Sequence, residues 1–195
     1  MIETALELAR EHGVEHRDVA GVRLEVFQTA YDIAGGGTFG DKTEPRTKEQ
    51  ADYNLKYLTA AALIDGEVGP HQLKEDRIRG EDVQDLLRRV EVRADDVLTA
   101  GYPDTTRVRV HIDLRDGSRL SREQSDFEGA RTRPLSWQRE VEKFHWLSEP
   151  YADPALREDI VSLVEELDAH PTAELTALLA RVGPAPLRPR SRRFV

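Results

Sequence analysis

Apolar positions recur at helical spacing from residue 2 to 12, through Ile2, Ala5, Leu6, Leu8 and Ala9, and Gly13 supplies a stop. Val22-Arg23-Leu24-Glu25-Val26-Phe27 alternates and predicts a strand. Ala34 to Gly40 is glycine-rich; it lacks the Gly-Lys-Ser/Thr ending of a phosphate cradle and reads as a hinge or close-approach loop. A charged segment containing Pro45 then leads into one predicted helix over about 48 to 64. Thr47 and Gln50 have the spacing of a capping box at its start. From Leu55 onward Leu55, Tyr57, Leu58, Ala60, Ala61, Ala62, Leu63 and Ile64 leave no polar stripe, the pattern of a buried helix.

A short helix over 81 to 88 and a strand over Val90 to Arg93 follow. Arg107 to Leu114 places Val108, Val110, Ile112 and Leu114 on one face, and Leu120 to Ser125 returns beside it. Asp116-Gly117 between them is a two-residue hairpin signal. These strands predict a mostly antiparallel sheet of four strands with covering helices, an α+β class. The pattern changes after Arg133-Pro134, so a boundary is expected near residue 130. Three helices follow, opened by Ser136, by Asp153-Pro154 and near Thr172. Their apolar positions run through Trp137, Val141, Phe144 and Leu147, then Leu156, Ile160, Leu163 and Leu167, then Leu175, Leu178 and Leu179. The predicted divisions are 1–130, 131–183 and a flexible Pro- and Arg-rich tail over 184–195.

Composition narrows the function classes. A net charge of −9 argues against nucleic acid as a partner, because phosphate binding needs a basic surface. It leaves room for a small anion held in a local field. With no cysteine, disulfides and thiolate chemistry are excluded. No apolar run approaches the ~20 residues that span a bilayer, and Met1-Ile2-Glu3-Thr4-Ala5 does not open a signal peptide. No membrane association and a cytoplasmic location are the expectations. The histidines, His12, His16, His71, His111, His145 and His170, do not pair as i, i+4 on one helix, so no metal site is expected. His111 is expected to be an exposed histidine.

The run Lys42-Thr43-Glu44-Pro45-Arg46-Thr47-Lys48-Glu49-Gln50-Ala51-Asp52-Tyr53-Asn54-Leu55-Lys56-Tyr57 resembles a motif of the MmgE/PrpD family. The usual wording there is Lys-Trp-x-Pro-x-Thr-Arg-Glu-Thr-Ala-Asp-His-Ser-x-Pro-Tyr, followed by an Ala/Leu-rich helix ending in Asp-Gly, here Asp65-Gly66. The likeness continues through Val83 to Val92, Val108-Arg109-Val110, Asp116-Gly117, Arg133 to Trp137 and Glu142-Lys143-Phe144. The family includes 2-methylcitrate dehydratases, cis-aconitate decarboxylases and iminodisuccinate epimerases. Tyr53-Asn54 stands where His-Ser is usual, which leaves the particular reaction open.

The resemblance implies cofactor-free chemistry on a small carboxylic acid. Such a reaction needs a base for a C–H proton, an acid for the leaving group and cations for the carboxylates. In the family the main acid–base groups lie on a helical domain and on a segment just before a helix like residues 2 to 12. The present sequence starts at that helix, so it is expected to be the C-terminal part or small subunit of a split enzyme. The expected partner is a helical-domain large subunit; self-association is a further possibility, through C-terminal helices that in the family dock on the helical domain. Lys42 matches the family's lysine and Lys48 its arginine, and both are candidates for substrate carboxylates; their alternative is a solvated charged loop. Tyr53 is a candidate catalytic acid or hydrogen-bond donor, or else a packed tyrosine. The competing reading of the whole chain is a non-catalytic lid-type binding or dimerisation module.

Overall fold

The computed structural model describes residues 1–183, which form two compact units, one from Met1 to Arg133 and one from Pro134 onward. The tail expected to be flexible lies outside the described residues. In chain order the first unit contains α1 (Ile2–Glu11), β1 (Val19–Val26), α2 (Gln28–Ala30), α3 (Lys48–Asp52), α4 (Leu55–Asp65), α5 (Glu75–Ile78), α6 (Glu81–Leu87), β2 (Val90–Ala94), α7 (Asp96–Ala100), β3 (Val108–Leu114) and β4 (Arg119–Gln124).

The class is α+β, with one four-stranded sheet in the order β2-β1-β3-β4. The expectation of a mostly antiparallel sheet needs correction: the sheet is mixed. β1 and β2 are parallel, with Val22 opposite Val90 and Leu24 opposite Val92, while β1–β3 and β3–β4 are antiparallel. The physical reason is the long connection from Val26 to Val90. Parallel neighbours require a crossover, and the helices α2 to α6 supply it. Only the β3–β4 hairpin carries a local signal for its direction. Its loop is Arg115, Asp116 and Gly117 rather than two residues: the Leu114 N–H donates to Ser118 O at 2.8 Å, and Gly117 takes φ 89°. A left-handed glycine after a type I turn gives this longer hairpin loop.

Strict alternation decides which sheet face is dry. Val22, Leu24, Val26, Val90, Val92, Val108, Val110 and Ile112 are buried on one side, under α1 and α4. Burying one such side chain contributes about 2 kcal/mol. α1 reaches this face through Ala5 and Leu8, and Thr4 Oγ1 donates to Gln124 Oε1 at 2.8 Å. The other face is charged. Arg109 bridges Glu25 and Glu123, the latter at 2.8 Å. His111 lies on this face as alternation requires, but it is not freely exposed: its side chain is 12% accessible, with Nδ1 2.9 Å from Ser121 Oγ and Glu25 beside it. Flanking long side chains cover it.

The helix expected over 48 to 64 is two helices. Tyr53 leaves helical geometry (φ −106°, ψ 44°) and Asn54 is extended (φ −136°, ψ 98°). Asparagine readily exchanges a helix interior for a cap, because its side chain competes for nearby backbone groups. Beyond the break the apolar pattern has its expected consequence, since Tyr57, Ala60, Ala61, Ala62 and Leu63 are all buried. The end of α4 is tied down by Arg77, which donates to both Asp65 oxygens at 2.9 Å and to Asp82 Oδ1 at 2.8 Å. The buried Tyr57 hydroxyl donates to the Gln72 carbonyl, and burial pushes its pKa up to about 12.

The second unit holds α8 (Trp137–Ser148), α9 (Pro154–Glu165) and α10 (Thr172–Leu179). Ser136 and Asp153 cap α8 and α9, accepting from the Arg139 and Leu156 N–H groups at 3.2 and 2.9 Å. The core is thin: Ala152, Leu156 and Ile160 are buried, with Phe144, Val164 and Leu178 packed against them. Trp137, Leu147, Leu167 and Leu179 from the predicted apolar stripes are exposed instead.

Candidate functional site

The candidate residues all fall in the segment that runs from the glycine-rich turn into α4. The turn is a close-approach element. A Cβ on Gly35 would sit 2.8 Å from Tyr31 Cδ2 and 2.9 Å from Val92 Cγ1, and one on Gly37 2.7 Å from Asp32 Oδ1. Lys42 follows it. A Cβ on Gly36 would come 3.9 Å from Lys42 Cγ, so the lysine stem lies along this glycine.

Side chains from later in the chain hold the backbone after Lys42 in place. Asn54 is 1% exposed and uses both ends of its amide: Oδ1 accepts from the Tyr57 N–H at 3.0 Å, and Nδ2 donates to the Lys42 carbonyl at 3.1 Å. Buried Gln84 donates to the carbonyls of Pro45 at 3.0 Å and Ile78 at 2.7 Å. Arg79 Nε donates to the Arg46 carbonyl at 3.2 Å. The capping box forms as its spacing predicts: Thr47 accepts from the Gln50 N–H, and Gln50 Oε1 accepts from Thr47 N at 3.3 Å and also from Arg46 N at 2.8 Å. Each such bond is worth about 1 kcal/mol. Together they fix a loop that would otherwise have to be ordered when a ligand binds.

The three predicted residues fare differently. Lys42 is half-buried, and its ammonium has no ion-pair or hydrogen-bond partner among the described residues. Lys48 is exposed and paired with Asp52 one turn on; that hydrogen bond and charge raise its pKa. Tyr53 occupies the break between α3 and α4, where its side chain is 63% exposed rather than packed. The structure thus places all three around one helix junction, with one cation free and one engaged.

Sequence reasoning missed the residues that hold this loop. Asn54 had a signal, a cap-forming residue directly before an apolar run. Gln84 and Arg79 had none, because each reaches a segment distant in sequence. Among the described residues no group of three or more His, Asp or Glu side chains is placed to hold a metal. No helix among them is long and apolar enough to cross a membrane.

The family model of the MmgE/PrpD C-terminal domain matches residues 1–169, a range that includes the whole of this junction. The chain belongs to the MmgE/PrpD family. No curated protein matches it. The MmgE/PrpD assignment covers the sheet, the crossover helices, α8 and α9, and stops short of α10. It gives the chain the C-terminal domain of that family.

Proposed function

We propose that the chain is the C-terminal part or small subunit of a split MmgE/PrpD-type enzyme that acts on a small carboxylic acid by dehydration, decarboxylation, isomerisation or epimerisation. One observation carries this reading: the match to the family's C-terminal domain spans a pinned loop that presents an unpaired ammonium, Lys42. An ammonium held in place is suited to a substrate carboxylate, and a charge-assisted contact of this kind is among the stronger hydrogen bonds. Lys42 is the first carboxylate-holding group. Lys48 is a second, although its Asp52 contact must yield. Tyr53 donates a proton or a hydrogen bond from the helix break. These groups hold and protonate. The base that removes the C–H proton is assigned to a helical partner domain, and a cytoplasmic location goes with this role.

Assaying the 195-residue chain against 2-methylcitrate, cis-aconitate and related acids tests the proposal. No turnover is expected from the chain alone, and turnover is expected when a helical MmgE/PrpD partner is supplied. In the assembled enzyme Lys42→Ala should raise the apparent substrate constant about tenfold, the effect of losing one charge-assisted contact. Robust activity of the isolated chain would overturn the split-enzyme reading.

Exposed Trp137, Leu147 and Leu179 favour a second reading, a non-catalytic lid-type binding or dimerisation module. That reading survives if the chain assembles with a partner and the assembly remains inactive on every such acid.

A further inference from the structure

The outer edge of β4 has no part in the chemistry proposed above. Leu114 N–H donates to Ser118 O at 2.8 Å, and antiparallel pairs alternate from there between non-bonded and bonded. Leu120, Arg122 and Gln124 therefore turn their N–H and C=O groups toward β3, while Arg119, Ser121 and Glu123 turn theirs away from the sheet. A bond on the far side of the sheet gives the same parity. Val22 N–H donates to Arg89 O at 3.0 Å on the β2 side, which leaves Arg23 to bond His111 and leaves Val110 and Ile112 to bond β4. Among the described residues no other backbone group takes up the outward groups of Arg119, Ser121 and Glu123. All three residues are exposed. After Gln124 the chain turns onto α1, where the Glu128 N–H donates to Glu3 Oε2 at 3.1 Å.

An unpaired edge is a template for another strand, and charged side chains ordinarily prevent such pairing. On β4 the charges permit one register. Arg93, Glu25, Arg109 and Glu123 stand opposite one another across β2, β1, β3 and β4, a row of alternating sign on the charged face. Arg109 ties Glu25 to Glu123 within that row. Farther along the same face Arg119 stands opposite Asp113 and is paired with it. A second β4 laid antiparallel, with Ser121 opposite its own copy, places the copy's Arg119 opposite Glu123. The row then runs on through the copy's Arg119 and Asp113, and its sign alternates to the end. Sliding the copy by two residues one way sets Arg122 against Arg122, and like charges directly opposite are unfavourable. Sliding it the other way sets Arg119 against Ser121 and forms no charge pair. A slip of one residue would turn the charged face of one sheet into line with the dry face of the other.

We propose that two copies of the chain pair through β4, antiparallel about a two-fold axis at Ser121, and so join their four-stranded sheets into one. The interface is isologous. Arg119 of each copy faces Glu123 of the other, and the outward groups of Arg119, Ser121 and Glu123 exchange about six backbone hydrogen bonds. On the opposite face Leu120 meets the aliphatic stem of the copy's Arg122, whose guanidinium Glu7 and Glu11 hold in place. The contact is narrow, which makes the dimer a reversible one of micromolar strength. This pairing is independent of the carboxylic-acid reading.

Analytical ultracentrifugation of the full chain between about 1 and 100 µM tests this, and the mass should rise toward that of a dimer. Glu123→Arg and Arg119→Glu each set like charges opposite, and each should weaken the dimer about tenfold. An unchanged circular dichroism spectrum shows that each variant is folded. An equal mixture of the two variants restores opposite charges at both ends of the strand pair and should dimerise as the wild type does. Loss of the internal pairs with Arg109 or Asp113 cannot produce that rescue. The chain has no cysteine, so Ser121→Cys gives a second readout. Bonded antiparallel partners lie about 5.5 Å apart between Cα atoms, within disulfide reach. Mild oxidation should link two copies of this variant and leave the exposed Ser125→Cys variant unlinked. A wild type that stays monomeric would overturn the proposal. So would a dimer that both charge variants leave unchanged, a mixture without rescue, or equal linking of the two cysteine variants.

Discussion

The two units differ in how far each completes its own core. In the first, both faces of the problem are solved internally: one sheet face lies under α1 and α4, and the charged face is cross-linked by Arg109, Glu25 and Glu123. In the second, burial stops at Ala152, Leu156, Ile160 and Leu163, while Trp137, Leu147, Leu167 and Leu179 remain exposed. Soluble proteins rarely leave large contiguous apolar patches in water. The contrast teaches a division of labour. The unit that carries the candidate loop buries a core of its own beneath it, and the helical unit leaves several of its large apolar side chains exposed.

The largest expected effect separates the two cores directly. Leu24→Ala, at the centre of the sheet, should cost about 4 kcal/mol, because its surroundings cannot collapse onto the cavity. Ile160→Ala should cost about 2 kcal/mol, the low end for such a change, because the site lies near solvent. Urea denaturation of both variants checks this, and equal losses would break the comparison. Arg77→Ala comes next, at about 3 kcal/mol, the low end for breaking a buried pair, since Asp65 keeps some contact with water. The same denaturation measurement applies, and a neutral result would remove the Arg77 clamp from the account of α4.

How much of this was legible beforehand differs by region. The apolar alternation of β1 and β3 and the Thr47–Gln50 capping box are local patterns, and local patterns are what a sequence displays. The parallel β1–β2 pair was hidden because strand direction depends on a crossover that no short motif announces. The break at Tyr53-Asn54 was masked by apolar residues on both sides, although the cap chemistry of Asn54 was there to be read. Lys42, Lys48 and Tyr53 were found because a motif named them. The pairing that ties up Lys48, and the buried amides of Asn54 and Gln84 that position Lys42, belong to tertiary structure.

A smaller effect concerns acid. Burial opposes ionisation of Asp82, but hydrogen bonds from Arg77 and from the Val83 N–H outweigh it and hold its pKa below the ordinary value of 3.8. A group depressed in the folded state binds its proton more readily in the unfolded chain. Its contribution is complete above the ordinary value and is lost as pH falls through the depressed one. Because Asp82 is half-exposed, the share to be lost is about 0.5 kcal/mol. Comparing unfolding of the wild type and Asp82→Asn between pH 6 and pH 2 should show the wild type losing its advantage only at the acid end. An advantage that grew toward low pH would reverse the sign.

Hydrogen exchange, followed residue by residue on dilute chain with its mass fixed by light scattering, bears most directly on the division of labour. The account predicts slow exchange in β1, β3 and α4 at every concentration. It predicts fast exchange in α8, α9 and α10 of the dilute monomer, slowing when a partner or a second copy binds. A stable monomer in which α8 to α10 are as protected as the sheet would contradict it.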